Sequence, residues 1–216
     1  ELLQSDDIVI DQSREMAALT LPSDYRTKMS KDQINMLPIR KWEGPIHLID
    51  SDKDLPAAVA RLRQERVLGF DTETKPVFRK GVTHSPSILQ LAGEKQVTLF
   101  QLKRLKTMLL LAEILADDNI KKVGVGLSND IDQLQPIIPF KPGGFLDVGG
   151  VARETNIQSC GLRSMAARFF GFRISKRAQC SNWENKQLKK FQIQYAATDA
   201  WVSREIYLIM NRQGLI

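Results

Sequence analysis

Cysteine and histidine, the side chains that form most disulfide and soft-metal sites, are scarce in this sequence. Its 216 residues include two cysteines and two histidines. Cys160 and Cys180 lack the C-x-x-C spacing of a metal site. Two cysteines in a chain of this length are more typical of reduced thiols than of a disulfide framework. The composition therefore argues against a disulfide-stabilised fold and indicates an intracellular protein.

Long apolar runs are also absent. No stretch of the sequence is long enough and apolar enough to cross a bilayer. The first seven residues, Glu1 to Asp7, lack the basic-then-apolar order of a signal peptide. The chain begins without Met, so the loss of a targeting segment from a longer precursor is compatible with the sequence. We therefore expect a cytoplasmic protein with no membrane partner.

The charged residues are biased towards the basic side. Lysine and arginine outnumber aspartate and glutamate by 31 to 25, a formal net charge of +6. A basic surface is typical of proteins that bind nucleic acid or another polyanion, although an excess of this size also occurs without such a partner. The length fits one α/β domain with an additional arm. None of these features determines the oligomeric state.

Residues 1–45 show mixed polarity without a sustained period, and they are interrupted by Pro22, Pro38 and Pro45. One local signal is present. Ser30 and Gln33 have the spacing of a capping box, which predicts a short helix over residues 31–36. We interpret residues 1–45 as an N-terminal arm and residues 46–216 as the main domain.

From residue 46 onwards the patterns predict strands in an antiparallel series, followed by strands that alternate with helices. The predicted strands cover 46–49, 67–70, 87–91, 96–100, 121–126 and 145–148. The predicted helices begin after Asp54, cover 102–115, begin after Ser128, and cover 161–170 and 188–210. Residues 92–95 have the composition of a hairpin turn. This order predicts an α/β fold with a central mixed β-sheet flanked by helices.

Two carboxylates follow the apolar run Val67 to Phe70. Asp71 and Glu73 are separated by one residue, so on a strand their side chains would point to the same side. Two adjacent anions are costly unless a cation neutralises them, and grouped hard oxygen ligands suit Mg²⁺ or Mn²⁺. The motif taken alone is equally typical of a solvated strand end.

Two further acids lie on predicted helices. Asp130 is placed in a first helical turn, where the helix dipole favours negative charge. Asp199 follows Tyr195 by one helical turn, so the phenol and the carboxylate share a face. Each has an ordinary structural explanation when taken alone. Together the four acids lie on three separate elements, which is the arrangement that a two-metal phosphodiesterase site requires.

Three segments resemble, in order and character, the motifs of the DEDDy 3′-5′ exonucleases. They are Phe70-Asp-Thr-Glu73, Gly124-Val-Gly-Leu-Ser-Asn-Asp130 and Tyr195-Ala-Ala-Thr-Asp199. Cys180-Ser-Asn-Trp183 is similar to the Werner syndrome protein exonuclease domain, and ribonuclease D is a more distant relative. The resemblance extends from about residue 67 to residue 210.

The resemblance implies a ribonuclease H-like fold and two divalent cations, Mg²⁺ or Mn²⁺. Asp71, Glu73 and Asp199 would hold the first cation, Asp71 and Asp130 would reach the second, and Tyr195 would orient the attacking water. The substrate would be nucleic acid with a free 3′ end, single-stranded or frayed, and the products nucleoside monophosphates. The Cys180–Trp183 segment favours DNA. The alternatives are a ribonuclease D-like enzyme that trims RNA and a catalytically silent nucleic-acid-binding domain.

Residues near the four acids are candidate substrate contacts. They are Thr72, Thr74, Arg79, Lys80, Asn129 and Trp183. Thr74 replaces the Trp that follows Asp-x-Glu in the Werner-type domain, and Leu188-Lys-Lys-Phe-Gln192 lacks the Thr with which relatives usually begin the last helix. The basic loop residues could follow phosphates or simply lie in solvent. Trp183 suits a packing anchor better than a base-stacking platform, although both roles are compatible with its position.

Overall fold

A six-stranded mixed sheet forms the centre of the computed structural model, which describes residues 16, 19–79, 81–158 and 160–216. The strand order is β1-β4-β3-β2-β5-β6. The strands are β1 (Ile46–Ile49), β2 (Val67–Thr74), β3 (Pro86–Ala92), β4 (Val97–Gln101), β5 (Lys121–Gly124) and β6 (Phe145–Asp147). Strand β3 is antiparallel to β2 and β4, whereas β1–β4, β2–β5 and β5–β6 are parallel pairs. The predicted α/β class and the mixed sheet are confirmed.

Helices cover both faces of this sheet. They are α1 (Lys31–Met36), α2 (Leu55–Leu62), α3 (Leu109–Ala116), α4 (Leu127–Leu134), α5 (Val148–Glu154), α6 (Leu162–Phe170) and α7 (Lys190–Arg212). One apolar core packs α5, α6 and α7 against the sheet, and a second packs α2, α3 and α4 against the opposite face. Phe70 belongs to the second core. Because side chains alternate along a strand, Asp71 and Glu73 face α7, and Thr72 faces α4.

The long helix α7 crosses the sheet in close contact with β2. Its alanines Ala196, Ala197 and Ala200 are buried, and their small side chains allow the two backbones to approach. Gly69 completes the contact, since a Cβ added there would lie 1.9 Å from the carbonyl oxygen of Ala200. This approach brings Asp199, the residue before Ala200, to the strand that carries Asp71.

Replacing Gly69 with Ala should therefore destabilise the fold by about 1–3 kcal/mol or more, the usual range for overpacking a core. The obstacle is a backbone carbonyl, which cannot rotate away as a flexible side chain would. Urea unfolding measures the effect. The matched control is Gly150→Ala in α5, where an added Cβ meets its nearest atoms at an ordinary 3.7 Å and the helix should gain about 0.5–1 kcal/mol. Equal stability of both variants would contradict the close-contact explanation.

The predicted helix over residues 102–115 is wrong in its first half. Leu102–Arg104 form a 3₁₀ turn, Leu105 is extended (φ −89°, ψ 136°), and the α-helix begins only at Leu109. The backbone N–H groups of Lys106 and Thr107 donate to the side chain of Asp52. These long-range hydrogen bonds replace the helical ones, so the apolar spacing overestimated the length of the helix.

The predicted start of α2 after Asp54 is confirmed, although the Asp54 side chain makes no capping hydrogen bond. The predicted start of α4 after Ser128 is wrong. Ser128 lies within the first turn of α4, because Gly126 adopts a left-handed conformation (φ 76°) and the helix begins at Leu127. The left-handed region is accessible to glycine at little cost, so the glycine sets the start of α4. Asp130 remains in the first turn, as predicted.

The later part of the predicted arm packs on the domain. The capping box of α1 is confirmed, with the Gln33 N–H donating to Ser30 Oγ at 3.1 Å and the Ser30 N–H to Gln33 Oε1 at 2.8 Å. Trp42 is buried, and its backbone N–H donates to Thr198 Oγ1 at 3.1 Å. Most of residues 1–18 fall outside the described residues, and the division at residue 45 stays a prediction. No described helix has the length and apolar character of a membrane span.

Candidate active site

Three carboxylates converge where β2 meets the middle of α7. Asp71 and Glu73 come from the strand and Asp199 from the helix, and one oxygen from each lies within 4.8 Å of the others. Glu73 and Asp199 are buried, and Asp71 is half-buried. We call these residues the carboxylate triad. The prediction that residues from distant parts of the chain meet here is confirmed for these three.

The triad is electrostatically strained. Burial, together with the charges of Asp71, Asp199 and Asp130, raises the pKa of Glu73 to about 10. Burial raises the pKa of Asp199 to about 7, against the lowering effect of its hydrogen bond with Tyr195. The pKa of Asp71 lies well above its usual range, because the group is desolvated and faces Asp199 and Asp130. Protons or a cation must therefore compensate the triad near neutral pH.

The donor set of the triad fits a hard divalent cation. All three groups offer carboxylate oxygens, the ligand type that Mg²⁺ and Mn²⁺ prefer. Asp199 Oδ1 is buried without a hydrogen-bond partner among the described residues. A buried acceptor of this kind is costly unless something pairs with it. The triad therefore supplies both the charge and an unpaired acceptor for a cation.

Asp130 is close to the triad but does not belong to it. Its Oδ1 accepts a hydrogen bond from Thr72 Oγ1 at 2.5 Å, on the side of β2 that faces α4. Burial raises its pKa, and the Thr72 hydrogen bond opposes this shift. The charge of Asp130 still contributes to the raised pKa values of Asp71 and Glu73. Asp130 thus influences the ionisation of Asp71 and Glu73 from the opposite face of β2.

Tyr195 and Asp199 share a face of α7, as their spacing predicted. The phenol donates a hydrogen bond to the Asp199 carboxylate. Burial and the nearby charges of Asp199 and Glu73 raise the pKa of Tyr195, so the hydroxyl stays protonated. Trp183 packs against the Tyr195 ring with centroids 6.1 Å apart. Trp183 is 1% exposed, so packing is the role that the structure shows, and its role as a substrate contact stays a prediction.

The other candidate substrate contacts fall in different places. Thr74, Asn129 and Asp130 line a cavity of about 360 Å³ beside the loop between β2 and β3, and we call it the loop cavity. Thr72 lines this cavity and also contributes to the lining of the cavity next to the triad. Arg79 is exposed on the same loop. Lys80 lies outside the described residues. The roles of these residues stay predictions.

A second cavity, of about 440 Å³, opens on the other side of the triad, and we call it the tyrosine cavity. It lies between the triad, Tyr195, the start of α6 and the segment 174–179. Polar side chains in its lining that sequence reasoning missed are Arg163, Ser164, Ser175 and Gln179. No motif marks them, because isolated polar residues in irregular segments carry no periodic or compositional signal. Lys176, also in the lining, belongs to a basic segment that the sequence does show.

Sequence reasoning also missed Glu184. Its carboxylate accepts hydrogen bonds from Lys75 Nζ at 3.1 Å and from Lys103 Nζ, and His84 Nδ1 lies 3.4 Å away. The two lysine hydrogen bonds lower the pKa of Glu184 to about 2. One carboxylate thus joins the loop between β2 and β3 to the segment that places Trp183 on Tyr195. No charge pattern in the sequence marks this cluster, because the partners of Glu184 lie about 80–110 residues away from it in the chain.

Named relatives and solved structures resemble the chain. It is 29% identical to the human exonuclease mut-7 homolog, over 88% of this chain and 25% of that protein. It is 30% identical to the mouse bifunctional 3′-5′ exonuclease/ATP-dependent helicase WRN, over 71% of this chain and 11% of that protein. The chain therefore spans about a quarter or less of the length of these relatives.

Among solved structures, the Aedes aegypti Nibbler EXO domain has a TM-score of 0.71 at 25% identity, covering 82% of this chain and 92% of that one. Escherichia coli RNase D has a TM-score of 0.70 at 20% identity, covering 79% of this chain and 46% of that one. These similarities confirm the ribonuclease H-like fold that the motifs implied. The sequence profile of the 3′-5′ exonuclease family matches residues 46–214. The three motifs, the carboxylate triad and this match agree, and the chain belongs to the 3′-5′ exonuclease family.

Proposed function

We propose that this chain removes nucleotides from the 3′ end of a nucleic acid, DNA by preference, by hydrolysing the terminal phosphodiester with two divalent cations, Mg²⁺ or Mn²⁺. The observation that carries the proposal is the approach of three carboxylate oxygens from β2 and α7 within 4.8 Å, with Asp130 adjacent. The products would be nucleoside monophosphates.

The acids divide between two positions in this proposal. Asp71, Glu73 and Asp199 would hold one cation, and Asp71 and Asp130 would hold the second. Bound divalent cations would lower the pKa of the attacking water and neutralise charge on the phosphate and the leaving oxygen. Thr72 keeps Asp130 in place through the hydroxyl that donates to Oδ1.

Tyr195 positions the attacking water. Its hydroxyl is protonated and its proton is directed at Asp199, so a water beside it would donate to a phenol oxygen whose orientation is set. Trp183 restricts the tyrosine ring by packing against it. Orienting a reactant in this way lowers the entropic part of the barrier.

The positions of the two cavities support one direction for the bound strand. The leaving 3′ oxygen belongs to the nucleotide that remains on the strand and should lie on the Asp130 side, next to the loop cavity. The nucleotide to be removed occupies the tyrosine cavity. The terminal phosphodiester reaches the proposed cation positions only when its strand is single or frayed. In a paired end, the terminal nucleotide stays stacked in the duplex and cannot enter the tyrosine cavity.

A labelled oligonucleotide tests the proposal. Single-stranded DNA carrying a 5′ label should shorten stepwise from its 3′ end with Mg²⁺ or Mn²⁺, release nucleoside monophosphates, and stay intact in EDTA. A circular single strand of the same composition is the control and should not be cut, because it has no 3′ end. Cleavage of the circle, or binding without shortening in both metals, would contradict the proposal, and the second result would favour the silent binding domain.

A specific observation favours RNA trimming as the second candidate function. Ser164, Ser175 and Gln179 present hydroxyl and amide groups to the tyrosine cavity, and such groups can hydrogen-bond a ribose 2′-OH. The Escherichia coli RNase D that shares the fold is named as an exoribonuclease involved in structured RNA processing. DNA with a single 3′-terminal ribonucleotide separates the candidates. Faster removal of that nucleotide than of its deoxy counterpart would favour RNA.

A further inference from the structure

Exposed apolar side chains concentrate in the loop between β2 and β3. Among the described residues, the large exposed hydrophobics are Met36, Ile39, Val77, Phe78, Val82, Leu109 and Ile216. Three of the seven lie in this one loop. Phe78 is 86% exposed, and no other aromatic ring in the described residues is classed as exposed. Leaving a phenylalanine in water forgoes a burial free energy of about 1.5–3 kcal/mol, so the position of this ring needs an explanation.

The loop lies directly beside the proposed cation positions. It continues the strand that carries Asp71 and Glu73. Val77 and Val82 form an apolar part of the loop cavity, and Asn129 and Asp130 line the same cavity. The apolar side chains are therefore continuous with the side of the site on which the remaining strand is proposed to lie.

The ends of the loop are anchored while its middle projects. Lys75 near the start donates to Glu184 at 3.1 Å, and His84 near the end lies 3.4 Å from the same carboxylate. Arg79 is exposed immediately after Phe78. An exposed aromatic ring next to a guanidinium is suited to bind single-stranded nucleic acid, because bases can stack on the ring and phosphates can pair with the cation.

We propose that Phe78 stacks on a nucleobase of the strand just upstream of the scissile bond and so selects single-stranded 3′ ends. The inference rests on the proposed function, which it deepens. A base in an intact duplex already has neighbours on both faces and offers none to the ring. An unpaired base offers a free face, and stacking holds its strand across the loop cavity with the 3′ terminus at the triad.

Abasic oligonucleotides provide the test. Phe78→Ala should lower kcat/KM for release of the first nucleotide from single-stranded DNA by about 5- to 100-fold, the range for loss of one base–aromatic stack. Phe78→Trp should retain activity. Placing an abasic site in turn at the second, third and fourth positions from the 3′ end should lower wild-type activity, and at one of these positions Phe78→Ala should cause no further loss. Leu109→Ala, which removes another exposed hydrophobic (74% exposed) on α3, is the matched control and should have no effect.

The outcomes separate this inference from the proposed function. If wild type shortens DNA but Phe78→Ala is equally active, or if the Phe78 and abasic effects add at every position, stacking is overturned and the exonuclease proposal survives. If wild type fails to shorten any strand with either metal, the proposed function itself fails. Thermal unfolding of Phe78→Ala should match wild type, because the side chain is exposed, and a large loss of stability would overturn the assignment of the ring to substrate.

Discussion

Replacing Asp71 with Asn should lower the rate of 3′ nucleotide removal by at least about 10³-fold, the upper range for loss of one charge-stabilising group. Asp71 is the one acid assigned to both proposed cation positions, and its oxygen belongs to the triad. Asn keeps the size of the side chain and removes its charge. The rate of release of the first nucleotide, measured at saturating Mn²⁺, gives the effect. Asp132→Asn is the matched control, since Asp132 is an exposed acid on α4 beside Asp130.

The same substitution should stabilise the protein in EDTA. Burial and the charges of Asp199 and Asp130 disfavour the ionised form of Asp71 and raise its pKa, so a neutral Asn in its place removes that cost of folding. Wild type, in contrast, should gain about 2.7 kcal/mol from metal at a hundredfold excess over Kd, and the variant should gain much less. Thermal unfolding with and without Mn²⁺ measures both effects. Full activity of Asp71→Asn, or equal metal stabilisation of both proteins, would contradict the assigned role.

The metal-free protein should lose stability as pH rises from about 5 to 8. Glu73 and Asp199 have folded-state pKa values of about 10 and about 7, above the ordinary values of 4.5 and 3.8 that apply in the unfolded chain. The native state therefore holds protons that the unfolded state has already released. Their stabilising contribution is fully present below about pH 4 and is lost as pH rises through the folded-state values. For each extra proton retained, the free energy of unfolding falls by about 1.4 kcal/mol per pH unit.

Urea unfolding in EDTA at pH 5, 6, 7 and 8 measures this slope. Saturating Mn²⁺ or Mg²⁺ should flatten it, because a bound cation compensates the carboxylates in place of protons, and metal binding should release protons. Glu73→Gln should reduce the slope, since one of the retained protons disappears. Glu184, whose pKa is lowered to about 2, contributes stability that is lost only as pH falls below about 4.5. It therefore leaves the slope between pH 5 and 8 unchanged. Stability that is constant or rises across pH 5–8 would contradict the description of the triad.

Local sequence signals succeeded where the physical cause is itself local. The Ser30–Gln33 capping box, the end of α6 at the left-handed Gly171 and the β3–β4 hairpin all depend on residues within a few positions of each other. The i, i+4 relation of Tyr195 and Asp199 is equally local. Such features are determined by backbone geometry and neighbouring side chains before any tertiary contact forms.

Sequence patterns failed to predict the local structure where a residue distant in the chain changed it. Asp52 binds the backbone of residues 106 and 107, which interrupts the predicted helix. Glu184 gathers Lys75, His84 and Lys103 from remote segments. Each case places a hydrogen-bonding partner more than 50 residues away, beyond the reach of any periodic pattern.

The sequence by itself determined the chemistry of the site: four acids and a tyrosine of suitable type, in a recognisable order, on a strand and two helices. The tertiary structure decided how they meet. Gly69 against Ala200 brings Asp199 to the face of β2 that carries Asp71 and Glu73, and Thr72 holds Asp130 on the opposite face. The physical reason is that residue type and spacing determine what a side chain can bind, whereas the distance between two elements depends on packing between segments more than 50 residues apart.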